Sequence, residues 1–218
     1  MADIINLSAN DLASMLCSRV CHDLINPVGA IGNGLQALTD PAQVEMRDIA
    51  QDLIANASKQ ALAKLEYARL AYGASSTAGT QFDTRECERV ANVFFEIVKP
   101  ELEWQITPVM IAKNRGKLLM NMLLIAAESV PRGGKVTVAL SGEPDKEMIS
   151  IVSTSDPEQK QKTLIPNGVE ELVAGNPEEG VDARGIQPFY TGVLARLVDM
   201  DVAIKLDGTT FSIVATPK

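Results

Sequence analysis

The chain has 218 residues, 46% of them hydrophobic and only 4% aromatic, enough for one large domain or two small ones with a genuine core. Its net charge of −8 and pI of about 4.8 argue against nucleic acid, whose phosphates are met by clustered Lys and Arg, and give an anionic membrane surface no polybasic segment. No apolar run reaches bilayer length, Met1-Ala2-Asp3-Ile4-Ile5-Asn6 lacks the marks of a secretion signal, and Cys17, Cys21 and Cys87 follow no disulfide framework, so a cytoplasmic protein is expected.

Ser8 is a good N-cap, flanked by Leu7 and Leu12 at hydrophobic-staple spacing, and the first helix should run from there to about Leu38. Thr39-Asp40-Pro41 breaks it. Asp40 as N-cap, Pro41 at the first helical position and Gln43 in a capping-box-like place would start a second helix reaching about Tyr72. Val44, Ile49, Leu53, Ala57, Ala61, Leu65 and Ala68 form its expected seam. A short turn makes the two helices antiparallel neighbours. Such a hairpin is too thin to bury its apolar side alone. The expected remedy is a two-fold homodimer in which two hairpins form a four-helix bundle; the alternative is docking on the rest of the same chain.

Gly73-Ala74-Ser75-Ser76-Thr77-Ala78-Gly79-Thr80 reads as a linker, dividing the chain into a hairpin over 1–74 and a second domain over 81–218. Helices are expected over Thr84 to about Val98, Lys113 to Val130, Asn167 to Ala174 and Gln187 to Asp199. Strands are expected over Glu103 to Pro108, Lys135 to Leu140, Met148 to Ser153, Val202 to Leu206 and Phe211 to Ala215, the last two joined through Asp207-Gly208. Strands grouped with helices, without a strict βαβ repeat, make the class α+β.

His22 is the only histidine. Helical residues advance by roughly 100°, so it shares a face with Asp11, Met15, Ser18, Arg19, Ile25, Asn26, Gly29 and Asn33. The opposite face carries Ala13, Leu16, Cys17, Val20, Leu24, Pro27, Val28, Ile31, Leu35 and Leu38, all apolar and expected to be buried. A solvent-facing imidazole is a competent nucleophile near neutral pH and can take a phosphoryl group from a partner and pass it on. Asp23 is placed to orient the ring and Arg19 to pair with phosphoryl oxygens; Asn26 can donate a hydrogen bond, and small Ser18 and Gly29 permit close approach. Pro27 removes the amide that would bond the Asp23 carbonyl, loosening that turn. An ordinary surface histidine is the plain alternative. Cys17 and Cys21 lie near the buried side, well away in angle from His22, and read as small core residues rather than metal ligands. No serine sits in a nucleophile elbow.

Arg19-Val20-Cys21-His22-Asp23-Leu24-Ile25-Asn26-Pro27 resembles the phosphoacceptor box of two-component histidine kinases, and the whole chain resembles the ChpT-type histidine phosphotransferases. The resemblance implies a cytoplasmic homodimer: a hairpin forming a dimeric four-helix bundle, then a degenerate Bergerat-type (histidine-kinase ATPase-like) α/β sandwich. Leu118 to Ser129 is similar to the kinase helix that carries Mg²⁺- and phosphate-binding asparagines, but only Asn121 remains and the position four later is Ile125. Ile151 to Pro157 lacks the glycines of the adenine site, and Ala183-Arg184-Gly185-Ile186-Gln187-Pro188-Phe189 has one glycine where a phosphate loop needs several. No ATP binding and no metal of its own are therefore expected. The resemblance implies reversible phosphoryl transfer through His22, from the receiver domain of a hybrid histidine kinase to response regulators, with Mg²⁺ supplied by the receiver. His22 and Asp23 would be catalytic. Met15, Ser18, Arg19, Ile25, Asn26 and Gly29 would meet the partner, Met15 and Ile25 as exposed apolar contacts. The rivals are an ATP-dependent kinase with an atypical nucleotide site and a non-catalytic dimeric adaptor for receivers.

Overall fold

A computed structural model describes residues 4–40, 45–73, 81–143, 146–156 and 163–218. The first helix, α1, spans Ala9–Thr39, with Ser8 as its N-cap. The Ser8 Oγ accepts from the Asp11 amide at 3.1 Å, satisfying one of the free donors of the first turn. Leu7 and Leu12, at staple spacing, both pack on Leu172, Ile186 and Phe189. α1 remains helical through Pro27, which is buried.

The second helix, α2, spans Arg47–Ala71. Its N-cap is Met46, which makes no side-chain cap bond, and Asp40 instead ends α1 as its C-cap. The start expected at Pro41 and Gln43 lies outside the described residues, as do Val44 and the linker from Ala74 to Thr80. The expected seam is only partly correct. Ala50, Ala57, Ala63, Tyr67, Leu70 and Ala71 are buried, whereas Ile49, Leu53 and Leu65 are exposed. One antiparallel neighbour covers one arc of a helix, so the rest of a broad apolar stripe stays open. For the same reason Ala13, Cys17, Val28 and Leu35 of α1 are exposed, contrary to the expectation of a wholly buried back. Cys21 is exposed too, so neither it nor Cys17 is a core residue; Cys87 is buried.

The rest is a mixed sheet covered by helices. A short strand β1 (Gln81–Asp83) precedes α3 (Thr84–Phe95), capped by Asp83; β2 (Glu101–Trp104) and β3 (Met110–Ala112) lead into α4 (Lys113–Glu128). Then come β4 (Gly134–Ser141), β5 (Met148–Ser155), α5 (Val169–Ala174), α6 (Ile186–Leu197), β6 (Met200–Asp207) and β7 (Thr210–Pro217). The main sheet has the order β2-β4-β5-β7-β6, with β2 parallel to β4 and the other pairs antiparallel. Val136, Val138, Ile149, Ile151, Phe211, Ile213 and Ala215 alternate along three strands onto one face, where they meet Leu119, Leu123, Ala126 and Leu194 in a single core. The class is α+β, as expected. The β1–β3 pair was not anticipated, and the strand expected at Glu103 to Pro108 is shorter and shifted towards Glu101.

The base of the hairpin is built into this core. Tyr67 donates its hydroxyl to the Met120 carbonyl at 2.7 Å, and Asn121 Nδ2 donates to the Ala71 carbonyl at 3.1 Å. Both are buried, where leaving a polar group unpaired costs most. α1 also packs on α6. The hairpin therefore docks on its own chain at its base, while its other end keeps an uncovered apolar surface.

Candidate functional site

His22 lies midway along α1, one turn before Pro27. Its side chain is 64% exposed, and Nδ1 stands 3.3 Å from Asp23 Oδ1. A carboxylate only accepts, so the contact suits the tautomer with its proton on Nδ1, in which Nε2 keeps its lone pair. Asp23 is itself held: its Oδ2 accepts from Arg19 Nε at 3.0 Å, an i, i+4 pair on the helix surface.

Arg19 was expected to be free to meet a partner. Instead its side chain is mostly buried and reaches the C-terminal part. Nη1 donates to the Arg184 carbonyl at 3.3 Å, in the loop before α6, and Nη2 lies 3.6 Å from Glu128 Oε1 at the end of α4. Burial opposes its charge, but Asp23, with Tyr72 and Glu128, outweighs burial and holds the guanidinium above its ordinary value. Burial raises the Glu128 carboxyl, with Arg19 acting against the rise. Tyr72, beside them, is pushed well up by burial.

Met15 is also corrected. It is half-buried against the cluster of Leu172, Ile186 and Phe189, so it helps seat α1 on α5 and α6. The first turns of α1 pack on the C-terminal part, which hides a position sharing the histidine face. Ile25 is 65% exposed, and Ser18, Asn26 and Gly29 are exposed around it. A Cβ at Gly29 would meet nothing within 4 Å. His22, Ser18, Ile25, Asn26 and Gly29 thus form an open strip, flanked by the Arg19–Asp23 pair.

Three contributors were not foreseen. Lys64 of α2 donates to the Asp23 carbonyl at 3.1 Å. Glu128 and the Arg184 carbonyl approach from the C-terminal part. These contacts span 41 to 165 positions in sequence, beyond any local periodicity. Arg19, Asp23, Lys64, Tyr72 and Glu128 line a cleft of about 410 Å³ together with Tyr67, Phe94, Val98, Leu124 and Pro131. Among the described residues, no group of three or more His, Cys, Asp or Glu is arranged to hold a metal, and no helix is long and apolar enough to cross a membrane.

The hairpin thus presents an accessible histidine beside an acidic residue and is seated on a mixed sheet covered by helices. Residues 84–210 match the family of histidine phosphotransferase C-terminal domains. The chain is 41% identical over 202 residues to the protein phosphotransferase ChpT of Brucella abortus (strain 2308), covering 92% of each chain. A solved bacterial phosphotransferase superposes with a TM-score of 0.88 at 38% identity, over 98% of this chain and 100% of that one. This chain belongs to the histidine phosphotransferase family.

Proposed function

We propose that His22 carries the phosphoryl group between aspartates of partner receiver domains. The His22 Nε2 lone pair attacks phosphorus of an acyl phosphate on the donor receiver. The P–N bond forms as the P–O bond to the donor carboxylate breaks, and the carboxylate leaves with that electron pair. Attack by an acceptor carboxylate reverses the exchange. Asp23 keeps the proton on Nδ1 and offsets the charge that the ring gains. The receiver supplies Mg²⁺ to its own aspartyl phosphate. The donor is the receiver of a hybrid histidine kinase, the acceptors are response regulators, and the compartment is the cytoplasm. The docking strip is Ser18, Ile25, Asn26 and Gly29. The observation that carries this reading is the exposed ring whose Nδ1 is already engaged by Asp23.

We also propose that the chain uses no ATP of its own and dimerises through the hairpin, the unit 1–74, with 81–218 as a nucleotide-site relic. Asn121 is fully buried; its Nδ2 donates to the Ala71 and Lys117 carbonyls and its Oδ1 accepts from Gln187. Both polar atoms of that side chain thus already have partners inside the core, which supports the reading. The Arg184 and Gly185 amides, where a phosphate loop would offer donors, are taken by the Asp182 carboxylate at 2.9 and 2.6 Å. For the dimer, Val28 and Leu35 of α1 and Ile49 and Leu53 of α2 are 42–60% exposed, a surface that a second hairpin would cover.

The test mixes the purified chain with a phosphorylated receiver. An acid-labile, base-stable label is expected on the wild type and none on His22→Gln. Transfer that persists in His22→Gln removes His22 as carrier. Calorimetry that found micromolar ATP affinity would overturn the nucleotide-free reading.

A further inference from the structure

We propose that Glu128 is a positioning residue for phosphoryl transfer: from the end of α4 it holds Arg19 against Asp23, and so keeps the His22 ring with Nε2 outward. This rests on the reading of His22 as the carrier. The contacts form one line. Glu128 Oε1 is 3.6 Å from Arg19 Nη2, Arg19 Nε is 3.0 Å from Asp23 Oδ2, and Asp23 Oδ1 is 3.3 Å from His22 Nδ1.

The placement of Glu128 is poor for its own helix. It is the last residue of α4, where the macrodipole disfavours a negative charge, and it lies beside apolar Leu124, Ala127 and Pro131 at the wall of the cleft. The carboxylate there is about half exposed, and its cationic neighbour is Arg19 at 3.6 Å. The guanidinium, in turn, is divided among three elements: Asp23 of α1, the Arg184 carbonyl before α6, and Glu128 of α4. Two hydrogen bonds, to Asp23 and to the Arg184 carbonyl, orient the fork with Nε towards Asp23, and the Glu128 carboxylate faces its far side as an ion pair.

The balance of charge gives the relay a chemical purpose. An Arg19 opposed only by Asp23 would be drawn towards an incoming phosphoryl group one turn away, and Asp23 would lose the donor on its Oδ2. Free to rotate, Asp23 would release Nδ1, and the neutral ring would sample the tautomer whose Nε2 carries hydrogen and cannot attack. With Glu128 on its far side, Arg19 stays with Asp23 as phosphate arrives. The C-terminal part thereby takes part in transfer without touching the reacting atoms.

The experiment compares full-length wild type, Glu128→Gln and Glu128→Asp. Each is assayed for kcat and KM of transfer from a phosphorylated receiver, and each is labelled with ¹⁵N-histidine. Because His22 is the only histidine, its two ring nitrogens are assigned without ambiguity. Glu128→Gln is expected to lower kcat about 10-fold with KM within about two-fold, and to move the ring shifts towards a mixed tautomer at fixed pH. Glu128→Asp, which keeps the charge, should recover part of both. Unchanged kcat and ring shifts in Glu128→Gln overturn the proposal, as does a rise in KM alone. If Glu128→Gln does not fold, wild-type-like Glu128→Asp supports the charge requirement, and a Glu128→Asp protein that folds yet behaves as badly as a His22 variant overturns it. The ring shifts are read without phosphate, so wild type that takes no label sinks the carrier reading while the tautomer measurement still decides this one.

Discussion

Lys64 donates its ammonium to the main-chain carbonyl of Asp23 at 3.1 Å, bridging α2 to α1. That carbonyl is the acceptor that Pro27 leaves without an amide, since proline cannot complete the i to i−4 bond. The hairpin thus repairs from the second helix a defect written into the first, beside the reactive ring. Lys64→Met keeps the aliphatic stem and removes the donor. It is expected to lower stability by about 1 kcal/mol, because water can reach this half-exposed site and replace part of the bond. Urea denaturation at neutral pH measures the change; an unaltered midpoint would mean that the carbonyl gains nothing from Lys64.

Ile49 and Leu53 are exposed by 60% and 42%, one turn apart near the free end of the hairpin. Carboxylates at both positions would be tolerated by water but not by an apolar interface. The double variant Ile49→Glu, Leu53→Glu is expected to sediment as a monomer at micromolar concentration, where the wild type sediments as a dimer. A wild-type monomer under the same conditions ends the bundle proposal.

Arg19 was expected to lie on the partner-facing surface beside His22. Its side chain is only 19% exposed and ties α1 to both α4 and the loop before α6. Arg19→Ala is therefore expected to slow transfer and also to cost about 1–3 kcal/mol, because Asp23 and Glu128 are left facing each other without their cation. Thermal unfolding and transfer rate measured on the same preparation check both. A rate that falls with no change in stability would return Arg19 to the open surface.

The helices, the five main strands and the exposed face around His22 were legible because each rests on local signals: Ser8 at the first cap, strands of period two, and residues three and four apart on one helix. What was illegible came from distance in sequence. The burial of Arg19 and Met15 depends on α4, α5 and α6, and no window of α1 contains them. The seam of α2 was misplaced for a related reason. Ile49, Leu53 and Leu65 share the apolar character of Ala57 and Ala61, but they lie on the arc of α2 that neither α1 nor the C-terminal helices cover. The start of α2 depended on Asp40, which serves as the end of α1 instead.

Glu103 on the edge strand β2 faces Lys135 and Thr137 of β4, with its Oε2 2.6 Å from Lys135 Nζ, and accepts from Gln105 at 2.9 Å. Hydrogen bonds from Lys135, Gln105 and Thr137 hold its carboxyl down, from the ordinary 4.5 to about 2. The folded state therefore prefers the ionised form. The resulting stability is present above pH 4.5 and is lost as pH falls through about 2, since the unfolded chain takes up the proton first. Glu103→Gln is expected to be less stable than wild type at pH 7 and to approach it as pH falls from about 4.5 towards 2, with the gap at pH 7 reduced by salt because the pair is exposed to solvent. Urea midpoints collected across that range measure it. A gap that stays constant down to pH 2 would show that the carboxylate contributes nothing to fastening β2 onto β4.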